Sequence, residues 1–168
     1  MAAGSTYTPL ATQTLGSAAA SVTFSSISGA YTDLVLVMNS IADSTAFHIY
    51  AQYNSDTATN YSQTILYGTG TSAASTRETS QNQARYSYGA AVRTTSPTTT
   101  IITIFNYANT TTYKTSIARN NRASDGVDAI VGLWRKTPEA INSIKIYNSA
   151  AANFAAGSTF SLYGIQSA

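Results

Sequence analysis

Eight residues, Thr32-Asp33-Leu34-Val35-Leu36-Val37-Met38-Asn39, constrain the fold more than any other stretch. The run is of strand length, aliphatic and β-branched, and short for a helix. When extended, it points Leu34, Leu36 and Met38 to one side and Val35 and Val37 to the other. A strand that is apolar on both faces belongs in the interior of a sheet. The polar ends Asp33 and Asn39 bracket it, and it is read as the centre of one β-sheet core.

The rest of the chain repeats short alternating runs separated by turn residues. Ala11 to Gly16 reads as a short first strand. Val22 and Phe24 share one face of the next. Phe47, Ile49 and Tyr53 oppose His48, Tyr50 and Gln52 across residues 46–53. Further strands are expected at 63–67, 84–93, 98–106, 113–118, 127–135, 141–147 and 159–165. Ile144 and Ile146 face inward in the 141–147 run, as do Phe160 and Leu162 in the last. Residues 68–82 carry no periodicity and read as a long functional or mobile loop; 119–126 reads as a polar loop, and 150–157 as a loop pinned by Phe154. No stretch sustains a helical period. Eight to ten short strands with turn chemistry between them predict an all-β antiparallel sandwich. The strand count favours a jelly roll over an immunoglobulin-like domain, which runs near 100 residues and usually carries a Cys–Trp–Cys core. The reading gives a single sandwich domain over 11–168, preceded by a flexible N-terminal arm over 1–10, where Gly4, Ser5 and Pro9 discourage regular structure.

Charged residues make up 10% of the 168, against roughly 25% in ordinary soluble domains. The polar surface is therefore built from Thr, Ser, Asn and Gln. Nine basic and seven acidic residues leave a net charge of +2, which is no nucleic-acid footprint and gives little colloidal repulsion. Association is the expected default. Cysteine is absent, so disulfides, thiolate metal sites and a cysteine nucleophile are excluded. The first residues have no signal-peptide pattern, and no apolar run approaches the ~20 residues of a membrane-spanning helix.

Chemistry-bearing residues are sparse. His48 is the only histidine, too few for a usual zinc site, and no G-x-S-x-G elbow accompanies it. Asp125 and Asp128 flank Gly126 at a strand entry; they read as a turn aspartate and an outward strand aspartate. Calcium, with Asn120 and Asn121 as further oxygen ligands, is the alternative. Gly68-Thr69-Gly70 lacks the helix and Lys of a phosphate cradle. Arg119, Arg122, Arg135 and Lys136 read as a solvated rim. No cofactor is implied. The 12 tyrosines are the informative surface feature. Tyr50, Tyr86, Tyr88, Tyr107 and Tyr113 exceed what one core holds, so some are expected at subunit contacts, where tyrosine supplies area and a polar tip. A sugar-stacking platform is the competing reading.

Five stretches together resemble a group of tailed-bacteriophage virion proteins: Tyr-Thr-Asp-Leu-Val-Leu-Val-Met at 31–38, Asn-Tyr-Ser-Gln-Thr-Ile-Leu-Tyr-Gly at 60–68, Asp-Ala-Ile-Val-Gly-Leu-Trp-Arg at 128–135, Ile-Asn-Ser-Ile-Lys-Ile-Tyr at 141–147, and Asn-Phe-Ala-Ala-Gly-Ser-Thr-Phe-Ser-Leu-Tyr-Gly-Ile at 153–165. The likeness spans roughly residues 20–165. It implies a jelly-roll sandwich acting as a symmetric homotrimer, without catalytic residues. The expected role is a non-enzymatic capsid decoration (cement) protein. It would be made in the host cytoplasm and placed on the exterior of the virion, with the phage major capsid protein as partner and neither nucleic acid nor membrane bound. Tyr7 and Leu10 are the expected capsid contacts, and Arg85, Tyr86 and Tyr88 the subunit contacts. The alternative is a tail-fibre or receptor-binding module in which the 69–82 loop and exposed tyrosines take host glycan. An enzyme using Asp125 or Asp128 is a third, minor reading.

Overall fold

The computed structural model describes residues 6–124 and 126–166. Among them are twelve strands: β1 (Tyr7–Thr14), β2 (Ser21–Phe24), β3 (Asp33–Ser40), β4 (Ile49–Tyr53), β5 (Tyr61–Gly68), β6 (Ala73–Gln81), β7 (Ala84–Arg85), β8 (Thr98–Phe105), β9 (Lys114–Arg122), β10 (Gly126–Trp134), β11 (Ile144–Asn148) and β12 (Thr159–Ile165). They form two antiparallel sheets, one of eight strands ordered β1-β12-β3-β8-β9-β10-β5-β6 and one of four ordered β2-β11-β4-β7. The all-β sandwich is as the alternation predicted. The core lies between the sheets. Leu34, Leu36, Met38, Ile102, Phe160 and Leu162 fill it from the larger sheet, and Val22, Phe24, Ile49, Ala51, Ile144 and Ile146 from the smaller. These are the inward positions that period-2 reading assigns. β3 is an interior strand between β12 and β8.

Phe154 pins its loop. Its backbone pairs with Ala19 in both directions, at 2.9 and 3.0 Å. Its ring meets Phe47 and Phe160 edge-on, with centroids 5.0 and 5.1 Å apart.

Several expectations change. Tyr7–Leu10 is not a free arm: it is the first half of β1, paired along β12 from Tyr7↔Ile165 onward, with a register shift between Pro9 and Ala11. Met1–Ser5 lie outside the described residues. The 68–82 segment is not a long loop either. Residues 69–72 make a turn, and Ala73–Gln81 is the edge strand β6. Both β1 and β6 are exposed over most of their length. Eight strands at about 4.8 Å spacing are twice as wide as four, so the edge strands are only partly covered: Leu10 of β1 packs against the core, and β6 shows no apolar face. The 84–93 strand shrinks to Ala84–Arg85, and β9 continues to Arg122 through what read as a loop.

A polar cluster is built into one end of the core. Trp134 Nε1 donates to Asp56 Oδ2 at 2.6 Å, Asn60 Nδ2 donates to the same oxygen at 2.9 Å, and the Ala58 amide donates to Oδ1 at 3.0 Å. Burial raises the Asp56 pKa, but these three hydrogen bonds and Lys136 more than offset it, so the carboxyl sits below its usual value. A depressed folded pKa contributes stability that is complete above the unfolded pKa and is lost as pH falls through the folded one. Wild-type stability therefore drops below about pH 4, and Asp56→Asn flattens that part of the profile. Urea unfolding followed by the single tryptophan, Trp134, reads the difference. Parallel acid profiles for the two proteins would contradict it.

Candidate interaction surface

The neighbouring strands β9 and β10 of the larger sheet partly invert the usual arrangement. β9 turns Lys114, Ser116, Asn120 and Arg122 inward, and Ile117 outward. β10 turns Gly126, Asp128 and Gly132 inward along with Ile130 and Trp134, while Val127, Ala129, Val131 and Leu133 face out. The expected outward aspartate, Asp128, is thus a buried one.

Hydrogen bonding makes the polar interior possible. Asp128 accepts the amides of Tyr88 (2.8 Å), Gly89 (2.7 Å) and Ala90 (3.2 and 3.3 Å), and Asn120 Nδ2 at 3.0 Å. Arg122 donates to the Ala91 carbonyl and to Ser124 Oγ. Lys114 Nζ donates to the Thr112 carbonyl at 2.7 Å; burial lowers its pKa, with Glu139 opposing. Tyr86 OH meets Ser116 Oγ at 3.0 Å and the Tyr53 hydroxyl. These groups bind the irregular 86–92 segment against β9 and β10. The glycines let it approach: a Cβ on Gly126 would stand 2.8 Å from the Ala90 Cα. With its oxygens filled by donors, Asp128 offers no cation site. No cluster of three metal-ligating His, Asp or Glu side chains occurs among the described residues, and Asp125 lies outside them.

The outward face is apolar. Leu66 and Val127 are each 57% exposed, Val131 55%, Ile117 44% and Phe105 40%. Ladder register makes them neighbours. One row runs Val35–Thr103–Ile117–Val131–Thr64 and the next Val37–Ile101–Arg119–Ala129–Leu66. Leu66, Val127 and Ala129 bound a shallow depression of about 290 Å³. Another of about 370 Å³ opens among Thr64, Arg77, Val131 and Leu133. Covering side chains of this kind is worth on the order of 1 kcal/mol each at such exposure. Interrupted by Thr103 and Arg119, these residues make an exposed apolar patch of the kind found at contact surfaces.

The candidate contact residues are distributed otherwise than expected. Tyr7 is exposed and lies edge-on to Tyr163, with centroids 6.4 Å apart. Its partner Ile165 is in the outward phase of β12, which puts Tyr7 at the rim of the apolar face. Leu10 turns the other way, into a cleft of about 380 Å³ with Phe24, Ile27 and Leu162. Tyr86 is no subunit contact: it is 1% exposed, in the core between the sheets. Tyr107 is buried as well, and Tyr113 exposed. Arg85 and Tyr88 are engaged within the chain. Arg85 pairs with Glu78 at 2.7 Å and stands 4.4 Å from the Tyr88 ring centre. Tyr88 packs on Tyr67 (4.7 Å) and stacks on His48 (6.2 Å). Burial, then the Arg85 charge, lowers the His48 pKa against the pull of Asp128 and Glu78, so the ring is neutral near pH 7. Alternation alone misses the apolar face, because Val127 and Val131 look like core residues. The signal lies in the opposite phase, where two glycines and an aspartate occupy positions a sheet core would fill with large side chains.

No protein-family model matches the chain, and no curated protein matches it.

Proposed function

We propose that this chain is a non-enzymatic structural protein of a bacteriophage virion, a capsid decoration protein that binds across adjacent major capsid subunits as a homo-oligomer. The observation that carries the reading is the apolar outer face of the larger sheet. A chain with 10% charged residues and such a face is suited to binding through area rather than to life as a dilute monomer. The virion assignment comes from the five stretches that resemble phage structural proteins. The mechanism is many modest contacts multiplied by avidity across a lattice.

Tyr7, on the edge strand beside the apolar face, is the capsid contact in this reading. Deleting residues 1–10 would remove half of β1, so the informative change is Tyr7→Ala. Capsid binding is expected to weaken several-fold with the fold intact; unchanged binding would remove Tyr7 from the contact. The overall reading is tested by the copy number of this chain per purified particle relative to the major capsid protein. A ratio on the order of one to one, or a fixed large fraction of it, is expected. Absence from particles would overturn the reading.

A glycan-binding tail module is the second reading. The observation favouring it is the half-buried pair Tyr50 and Tyr147 on the smaller sheet, 6.0 Å apart, with Lys145 over the Tyr147 ring at 5.5 Å. A handful of copies per particle and glycan binding lost in Tyr50→Ala would favour it.

A further inference from the structure

We propose that the outer face of the eight-stranded sheet is covered by a second copy of this chain. The inference deepens the assembly reading above, and rests on it for taking the partner to be the same chain.

Area is the first argument. The six strands between the edges, about 4.8 Å apart and about eight residues long, span roughly 29 by 26 Å, or about 750 Å². A stable interface needs about 800 Å² from each partner. The face therefore comes close to the required size without recruiting loops and leaves Tyr7, on the edge strand, outside the contact. Its middle is aliphatic: Ile117, Val131, Val127 and Leu66, with Phe105 toward one end. Sheets pack face to face through side chains of this kind.

The polar groups around that middle favour a copy over a foreign partner. Thr64, Thr99, Thr115, Asn39 and Asn121 stand on the same side of the ladder. Hydroxyls and carboxamides donate and accept alike, so a rim made of them matches a rim of the same composition. An acidic or basic partner would call for a concentration of countercharge. The face instead has Arg119 within it, with Arg77 and Asp33 toward its edges. A net charge of +2 on the whole chain makes the approach of two copies inexpensive electrostatically. The polar inner phase of β9 and β10 adds an independent reason. Apart from Ala118 and Ile130, the aliphatic side chains of these strands face outward, as the inner layer of an intersubunit contact would require.

Sedimentation velocity of the purified protein tests this, with Val131→Lys and Leu66→Lys as single variants and Thr23→Lys, on the smaller sheet, as control. Wild type and the control are expected to sediment as one oligomer at micromolar concentration. Each face variant should weaken association at least tenfold while keeping the wild-type circular dichroism spectrum and melting temperature of the dissociated chain. A monomeric wild type, or an oligomer that both face variants leave intact, would overturn the proposal. Decoration of particles by a chain that is monomeric when purified would sink this inference and leave the virion reading standing. An oligomer that never occurs on particles would do the reverse.

Discussion

Asp128→Ala is expected to lose about 3–5 kcal/mol of stability, the range for breaking a buried charged network. The carboxylate is 4% exposed and accepts three consecutive backbone amides and the Asn120 carboxamide. Removing it leaves those donors facing an apolar methyl. The 86–92 segment would then come away from β10, carrying Tyr86 out of the core. Asp128→Asn separates charge from shape. It restores one acceptor but points an amide donor at the remaining N–H groups, so it should recover less than half of the loss. Urea unfolding measures both. A loss below about 1 kcal/mol for the alanine variant would mean that the segment is held by packing alone.

Phe154→Ala carries the other large effect, also about 3–5 kcal/mol. The side chain is fully buried and stands edge-on between Phe47 and Phe160. Its backbone ties residue 19 to the loop after β11, and an isolated bridge links it to Ala42. The cavity would open where three connections meet, so collapse is restricted and the cost falls toward the upper part of that range. Phe154→Leu, which refills most of the volume, should cost about 1–2 kcal/mol. Equal losses for the two variants would show that ring stacking rather than volume sets the stability there.

Strands covered on one face were legible because burial writes itself into alternation. β2, β8, β11 and β12 all show it, and Val22, Phe24, Ile144, Ile146, Phe160 and Leu162 point where the pattern says. β6 was not legible because what covers its inner face is polar, Glu78 meeting Arg85 and Gln63; Ala-Ala-Ser-Thr-Arg-Glu-Thr-Ser satisfies an edge without any apolar phase. β1 was hidden by Pro9, which an edge strand tolerates at an irregularity. The tyrosines failed for another reason. Ring size and a polar tip suit a core position with a hydrogen-bond partner as well as they suit an interface. Tyr86 finds Ser116 and Tyr53, and is inside. Tyr88, two residues on, is half covered. The candidate surface was the least legible of all. In β10 every aliphatic but Ile130 occupies the phase that faces away from the chain's own core, and the rule that apolar means inward then gives the wrong side for them.

The covering of that outward phase is measured most directly by thiol labelling. The chain contains no cysteine, so Val131→Cys provides a single reporter, with Thr23→Cys on the smaller sheet as the exposed control. Maleimide labelling rates are compared for each at micromolar protein and after dilution by a thousandfold. Val131→Cys is expected to be strongly protected at the higher concentration and to react as fast as the control after dilution, while Thr23→Cys reacts alike at both. Equal, concentration-independent rates at the two positions would show that the apolar face stands open to water in the purified protein, and would contradict the account.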